Sequence, residues 1–173
     1  AVRNTVILGL LAGLVSTLVG TAIAMALARQ SERRRQWMIT LLGLPLAFSG
    51  LVIAYGFILV FGRAGFVTQL LALLGADPAR VGSWIYSVSG LGFAYAYYLI
   101  PRVALSLYPV FANLDERPML AARTLGASRT RAFIDTVIPE IAPSVFSTGC
   151  LVAALAMGTY GTALALVGTQ LNI

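Results

Sequence analysis

Ionisable side chains, on which acid–base and metal chemistry depend, are few in this chain. The 173 residues include twelve arginines and six acidic residues, with no histidine and no lysine. Every acidic residue falls between apolar stretches, so catalysis or metal binding inside a bilayer has almost no groups to use. A Gly-x-x-x-x-Gly-Lys phosphate-binding loop is also missing from the sequence. We therefore predict no catalytic residue, metal site, cofactor or enzymatic activity for this chain.

Residues 113–140 form the polar segment with the most regular pattern. Pro118 suits the first turn of a helix, where its missing N–H would have no intrahelical partner. Gly126 stands where a helix commonly stops, because glycine adopts the left-handed conformation without steric cost. Ser128 is placed to cap a second helix that ends at Pro139. The pattern predicts two short helices joined by a sharp corner at Gly126.

The surface of this corner is predicted to contact another protein. Ala121 and Ala122 give the first helix a low-relief surface, on which a partner's groove can close down to the backbone. Three basic side chains flank that surface and offer charged contacts: Arg123, Arg129 and Arg131. An ordinary loop between apolar segments is the alternative interpretation.

Composition places the chain in a lipid bilayer. Hydrophobic residues make up 59% of the chain and charged residues 10%, with a mean hydropathy of +0.89. A soluble domain of this size could not cover so much apolar surface with polar residues. The formal charge of +6 is therefore interpreted by position, as a signal of membrane topology, and not as a nucleic-acid-binding signature.

Four apolar stretches are long enough to cross the membrane as helices. They cover residues 5–28, 37–61, 84–111 and 141–166. Two stripes of small residues with four-residue spacing let the first helix approach its neighbours closely. The stripes consist of Gly9, Gly13, Thr17 and Thr21, and of Ser16, Gly20, Ala24 and Ala28. We predict an all-α, polytopic transmembrane bundle that forms one domain over residues 1–173.

Arginines predict the orientation of this bundle. Segment 29–36 holds four arginines, so it is predicted to be cytoplasmic under the positive-inside rule. The first span then runs inward, and segment 113–140 lies on the same cytoplasmic side. Arg102 lies eighteen residues past Trp84 and is predicted to reach the inner interface, where its side chain can snorkel.

Segment 62–83 is predicted to form a short helix on the outer surface. Four apolar residues share one helical face before Gly75 and Pro78 end the pattern: Phe66, Leu70, Leu73 and Leu74. The face either contacts a soluble partner or caps the bundle at the membrane interface.

Polar side chains within the spans are candidates for lining a solute path, since polar groups at membrane depth usually face protein or a cavity. The candidates are Tyr95, Tyr160, Ser49 and Tyr55. Structural hydrogen bonding within the helices is the alternative role for each of them.

The corner resembles the cytoplasmic signature of the membrane permease subunits of bacterial ABC importers. In chain order, that signature consists of Glu-Ala-Ala, any three residues, Gly, any nine residues, Ile, any one residue and Leu-Pro. The matching positions are Ala121, Ala122, Gly126 and Pro139. Leu120, Thr136 and Ile138 stand in place of the glutamate, the isoleucine and the leucine. The order of spans and loops is also similar, most of all to the branch that handles iron(III), polyamines, thiamine, sulfate or phosphonates.

This resemblance implies a type I importer fold in the bacterial inner membrane, here a fragment of a six-span subunit. It implies a separate ATPase dimer that hydrolyses ATP, a second permease subunit, identical or related, and a periplasmic substrate-binding protein. The ATPase-coupling residues it implies are Ala121, Ala122, Arg123, Gly126, Ser128, Arg129, Arg131 and Pro139. A non-transporting scaffold or assembly protein, which presents a helical corner to a soluble partner, is the alternative.

Overall fold

The computed structural model describes residues 2–75, 77–83 and 86–158, and this part of the chain is built from helices. In chain order they are α1 Val2–Ala28, α2 Glu32–Gly43, α3 Gly50–Phe61, α4 Phe66–Leu73, α5 Pro78–Ser83, α6 Val88–Ala112, α7 Arg117–Thr124, α8 Arg129–Ala132 and α9 Ile138–Gly158. A 3-10 turn, Leu44–Ala47, follows α2, and a π-helical turn, Phe133–Val137, joins α8 to α9. The predicted all-α fold is confirmed for the described residues.

Helices α1, α6 and α9 pack closely through small residues. A Cβ atom added at Gly13 of α1 would lie 2.9 Å from the Cα atom of Ala153 in α9. A Cβ atom added at Gly20 would lie 2.5 Å from the Cβ atom of Val103 in α6. The two small-residue stripes of α1 therefore serve two different neighbours, as expected where glycine lets helix backbones approach.

The same contacts fix the relative direction of α1 and α9. Gly9 lies against Met157, whereas Gly149 lies against Thr17. The start of α1 is thus close to the end of α9, and the two helices are antiparallel. This direction agrees with a topology in which the first and the fourth span cross the membrane in opposite senses.

Three helical stretches of the described residues are long and apolar enough to cross a membrane: Gly9–Ala28, Gly50–Leu73 and Arg129–Gly158. The predicted span 84–111 is not among them, because α6 carries Arg102, four tyrosines and two prolines, which lower its mean hydropathy. Helix α6 instead supplies much of the core. Its most deeply buried side chains are Leu91, Ala94, Leu99, Val103, Ala104 and Leu107. The fourth predicted span continues past Gly158 into residues that lie outside the described part.

The predicted span 37–61 is not one continuous helix. Helix α2 ends at Gly43, the 3-10 turn that follows contains Pro45, and α3 begins only at Gly50. The side chain of Ser49 caps α3 by accepting a hydrogen bond from the N–H of Val52 at 3.5 Å. Proline cannot donate to the preceding turn and serine favours a cap, so both residues promote the break.

The predicted short helix after the second span is present as α4. Thr68 anchors it by donating a hydrogen bond to the carbonyl oxygen of Phe61 at 3.1 Å, and Gly75 ends it with a φ of 91°. The predicted apolar face is exposed, with Phe66 73% and Leu73 85% accessible. What covers this face stays a prediction.

Replacing Gly13 by leucine is expected to destabilise the bundle, because the new side chain would collide with the backbone of Ala153. Overpacking of this kind costs about 1–3 kcal/mol. The measurement is the midpoint of thermal unfolding in detergent. Gly92→Leu is the matched control, since a Cβ atom at Gly92 meets nothing within 4 Å. Equal midpoints for the two variants would contradict the close contact between α1 and α9.

Candidate functional site

The segment that leaves α6 forms the predicted helix α7. A carboxylate oxygen of Asp115 accepts a hydrogen bond from the N–H of Arg117 at 2.9 Å, at the point where the helix begins. Pro118 lies in its first turn, as predicted, where no intrahelical N–H is needed. The segment thus turns into a short helix that is separate from the long helix α6.

Gly126 ends α7 in the left-handed conformation, with a φ of 93°. The N–H of Gly126 donates to the carbonyl oxygen of Arg123 at 3.1 Å, and the N–H of Ala127 donates to that of Ala122 at 3.0 Å. This pair of bonds is a Schellman motif, which satisfies the last carbonyl groups of a helix. A Cβ atom at Gly126 would meet nothing within 4 Å, so the backbone conformation, not lack of space, favours glycine here.

Ser128 caps α8, as predicted, because its hydroxyl oxygen accepts a hydrogen bond from the N–H of Arg131 at 3.3 Å. The prediction that this second helix ends at Pro139 is wrong. Helix α8 continues through the π-helical turn into α9, with the N–H of Ile138 donating to the carbonyl oxygen of Phe133. A wider turn gives the proline ring room beside the carbonyl groups that precede it, so the chain stays helical.

The corner has an inner side that is anchored on the bundle and an outer side that is exposed. Met119 and Phe133 pack against the core on the inner side. On the outer side, Leu125 is 88% accessible and Leu120 is 52% accessible. A shallow groove of about 550 Å³ is lined by Leu120, Arg123, Thr124, Gly126, Ala127, Ser128 and Arg129.

Sequence patterns do not single out the two exposed leucines. Leu125 is the last residue before the left-handed Gly126, and this position next to the helix end is a signal that could have pointed to it. Ala121 is exposed and Ala122 is half-buried, so the low-relief surface lies partly against the bundle. An apolar side chain and bare backbone are therefore presented together on the outer side of the corner.

The three predicted arginines differ in their surroundings. The Nε atom of Arg131 lies 3.5 Å from a carboxylate oxygen of Asp135, one helical turn away. Arg123 and Arg129 form no ion pair with any described residue, and both side chains border the groove. An exposed pair of this kind contributes little to stability, so Arg131 can exchange its partner at small cost.

The predicted path residues that the structure describes do not gather at one cavity. Tyr95 is buried, and its hydroxyl group donates a hydrogen bond to the carbonyl oxygen of Ala156 in α9 at 3.4 Å. Ser49 caps α3, and Tyr55 is 57% accessible. Tyr160 lies outside the described residues. An aromatic groove of about 500 Å³ lies between α3 and α6. None of the three described candidates, Tyr95, Ser49 and Tyr55, lines it. The residues that line it are Phe48, Val52, Ile53, Gly56, Phe57, Val60, Phe61, Phe93 and Tyr97.

Arg102 lies beside the apolar part of α1. It precedes Val103, which packs against Gly20 of α1, eight residues before the end of that helix at Ala28. At a rise of roughly 1.5 Å per residue, Arg102 is about 12 Å inside the apolar span. Its Nη1 atom donates a hydrogen bond to the hydroxyl oxygen of Tyr98 at 2.9 Å, so the side chain points away from the predicted inner surface.

Comparison with known proteins gives one family and several relatives. The family described as "Binding-protein-dependent transport system inner membrane component" matches residues 16–172. The spermidine/putrescine transport system permease protein PotB of Salmonella typhimurium (strain LT2) is 31% identical over 136 residues, which are 77% of this chain and 46% of PotB.

Two further relatives have names that refer to sulfate. The sulfate transport system permease protein CysW of Synechocystis is 29% identical over 176 residues, which cover 99% of this chain and 60% of CysW. The chloroplastic sulfate permease 2 of Chlamydomonas reinhardtii is 28% identical over 161 residues, covering 93% of this chain and 42% of the relative. This chain thus spans about half the length of these relatives.

Replacing Ser128 by alanine is expected to loosen the start of α8, because the N–H of Arg131 loses its acceptor. Loss of such a cap costs about 1 kcal/mol. Hydrogen exchange of the Arg131 amide should therefore become several-fold faster. Ser147→Ala is the control, since the hydroxyl group of Ser147 only donates to a carbonyl oxygen. Unchanged exchange at Arg131 in the Ser128 variant would contradict the cap.

Proposed function

This chain belongs to the family of binding-protein-dependent transport system inner membrane components, and on that premise we propose that it forms part of the permease subunit of an ATP-driven solute importer. It is a multi-pass protein of the inner membrane, in agreement with the three apolar stretches among the described residues. The chain contributes to the solute path and hydrolyses no ATP itself. Hydrolysis takes place in a separate ATPase subunit that acts as a dimer.

The exposed Schellman corner at Gly126 is the observation that carries this proposal. Its outer side offers Leu125 and open backbone to a partner, while its inner side is held by Met119 and Phe133. A cleft of the ATPase can close on such a corner without displacing any side chain of the bundle. Arg123 and Arg129 border the same groove and supply charge for the contact.

Movement of the corner is transmitted through continuous helix. From Arg129 to Gly158 the chain remains helical, through α8, the π-helical turn and α9. Helix α9 in turn contacts α1 closely where Ala153 packs against Gly13. Closure of the ATPase dimer would therefore push α9 against α1 as a rigid element, which is the kind of motion that switches a transporter between two states.

One substitution within the signature changes the chemistry of this contact. Leu120 stands where related permeases carry glutamate, and its side chain is half exposed at the edge of the groove. The contact at this position is therefore apolar in our proposal, and the arginines provide the polar part. In our proposal, a second permease subunit and a periplasmic substrate-binding protein complete the assembly; the name of the family refers to a binding protein.

A non-transporting scaffold that presents the same corner is the second candidate function. It requires binding of a soluble partner but no coupling to a solute. Solute-stimulated ATP hydrolysis by the reconstituted complex distinguishes the two candidates, since a scaffold gives none.

Replacing Gly126 by valine is expected to weaken binding of the ATPase about tenfold. An L-residue in the left-handed conformation costs about 1–2 kcal/mol, and docking that needs the native corner loses a corresponding amount of affinity. Co-purification of the ATPase with the full-length permease and ATP-dependent uptake are the measurements. Membrane insertion should be unchanged.

Gly75→Val is the matched control for this experiment. Gly75 also follows a helix, has a φ of 91° and has open space around a built Cβ atom, but it lies in the segment predicted to be on the outer side. The control should lose the same conformational free energy at its backbone and should still bind the ATPase. Normal assembly and uptake by Gly126→Val would overturn the docking role.

A further inference from the structure

Arg102 is a charged, half-buried residue in the middle of α6, the helix that supplies much of the core. Among the described side chains of α1, α3, α6 and α9, the other charged residue is Glu140, in the first turn of α9. Arginine keeps its charge at any physiological pH, so this position cannot become neutral to fit an apolar environment. The charge must meet a polar partner at this depth.

The partners of Arg102 within the described residues leave most of its donors unused. The guanidinium group has five N–H donors, and one nitrogen donates to the hydroxyl oxygen of Tyr98. The guanidinium carbon also lies 5.8 Å from the centroid of the same ring. No carboxylate of the described residues forms an ion pair with Arg102. The tyrosine fixes the direction of the guanidinium group and leaves its remaining donors available.

Two contacts give the level of Arg102 in the bundle relative to the predicted cytoplasmic side. Tyr108, six residues further along α6, is already within 5.9 Å of the guanidinium carbon of Arg35 from the predicted cytoplasmic side. Arg102 is therefore well inside this level, and its side chain extends still deeper, towards Tyr98. A guanidinium group directed towards Tyr98 points away from the predicted cytoplasmic surface, which is opposite to the direction of snorkelling. The half-buried face of α6 that carries Arg102 and Tyr98 must border water or protein instead of lipid.

We propose that Arg102, oriented by Tyr98, is a binding site for an anionic solute on the transport path inside the membrane. The proposal rests on the transport function proposed above. The unused donors of a guanidinium group match the oxygen atoms of a tetrahedral oxyanion, which accept two parallel hydrogen bonds. A fixed positive charge in a low-dielectric environment attracts such an anion and repels a polycation at the same position.

An anion-binding site at Arg102 distinguishes between two classes of solute, cations and anions, because both classes occur in the names of the relatives. PotB is named for spermidine and putrescine, which are cations, and CysW is named for sulfate, which is an anion. The identities of 31% and 29% to this chain do not separate these classes. The charge of Arg102 selects the anion.

The test uses the full-length permease, assembled with its ATPase and binding protein in proteoliposomes. ATP-dependent uptake of labelled sulfate, phosphate and spermidine is compared. We expect uptake of one of the two oxyanions and none of spermidine. Arg102→Gln should lower oxyanion uptake about ten- to hundredfold, the loss expected for a hydrogen bond to a charged group, while the ATPase stays bound.

Three further variants keep the test decisive if Arg102→Gln fails to assemble. Arg102→Lys retains the charge and should retain a larger share of the uptake. Tyr98→Phe removes only the orienting hydroxyl group and should raise KM for the oxyanion more than it lowers kcat. Arg63→Gln, at an exposed arginine after α3, is the control and should transport normally.

The outcomes separate this inference from the transport function. A complex that takes up spermidine with ATP confirms an importer and overturns the anion site. ATP hydrolysis without uptake of either oxyanion also counts against the site, as does unchanged oxyanion uptake by Arg102→Gln. If no ATPase binds the wild-type permease, the proposed function itself fails, and the site on the path fails with it.

Discussion

Close contact between helix backbones at small residues is the interaction on which the other features depend. Lipid offers apolar surface as good as that of leucine, so helices in a bilayer gain from dense packing more than from hydrophobic burial. Gly13 and Gly20 bring α9 and α6 against the same helix α1. Helix α6 precedes the corner, and the helix that follows the corner continues into α9. Helix α1 therefore fixes the positions of both helices that hold the corner.

Local backbone chemistry explains why much of the corner can be predicted from the sequence. A Schellman motif at Gly126 and a cap at Ser128 involve atoms only a few residues apart, so residue type and spacing determine them. The effect of a proline is less local. Pro45 lies at a break between helices whereas Pro139 lies within continuous helix, because a π-helical turn precedes the second and a 3-10 turn contains the first. No pattern in the sequence distinguishes these two surroundings.

Side-chain direction is the part of the candidate site that could not be predicted. Tyr95 and Tyr98 are three residues apart on α6, yet one is buried against Ala156 and the other holds Arg102. Hydroxyl groups of both kinds look the same in a sequence. The level of Arg102 relative to α1 follows from the contact of its neighbour Val103 with Gly20, and the distance from Trp84 does not contain that information. Tertiary packing therefore decides which polar residue faces a path, even where the spans themselves are clear.

The π-helical turn at Phe133–Val137 sets the rotational phase of α9 relative to the corner. Such a turn contains about one residue more than an α-helical turn, so it offsets everything beyond it by about 100° around the helix axis. With that offset, Gly149 and Ala153 lie on α1. Evolution of this segment is thereby restricted in length more than in composition: a single deletion would turn the small residues away from their neighbour, whereas many side-chain changes would leave the alignment intact.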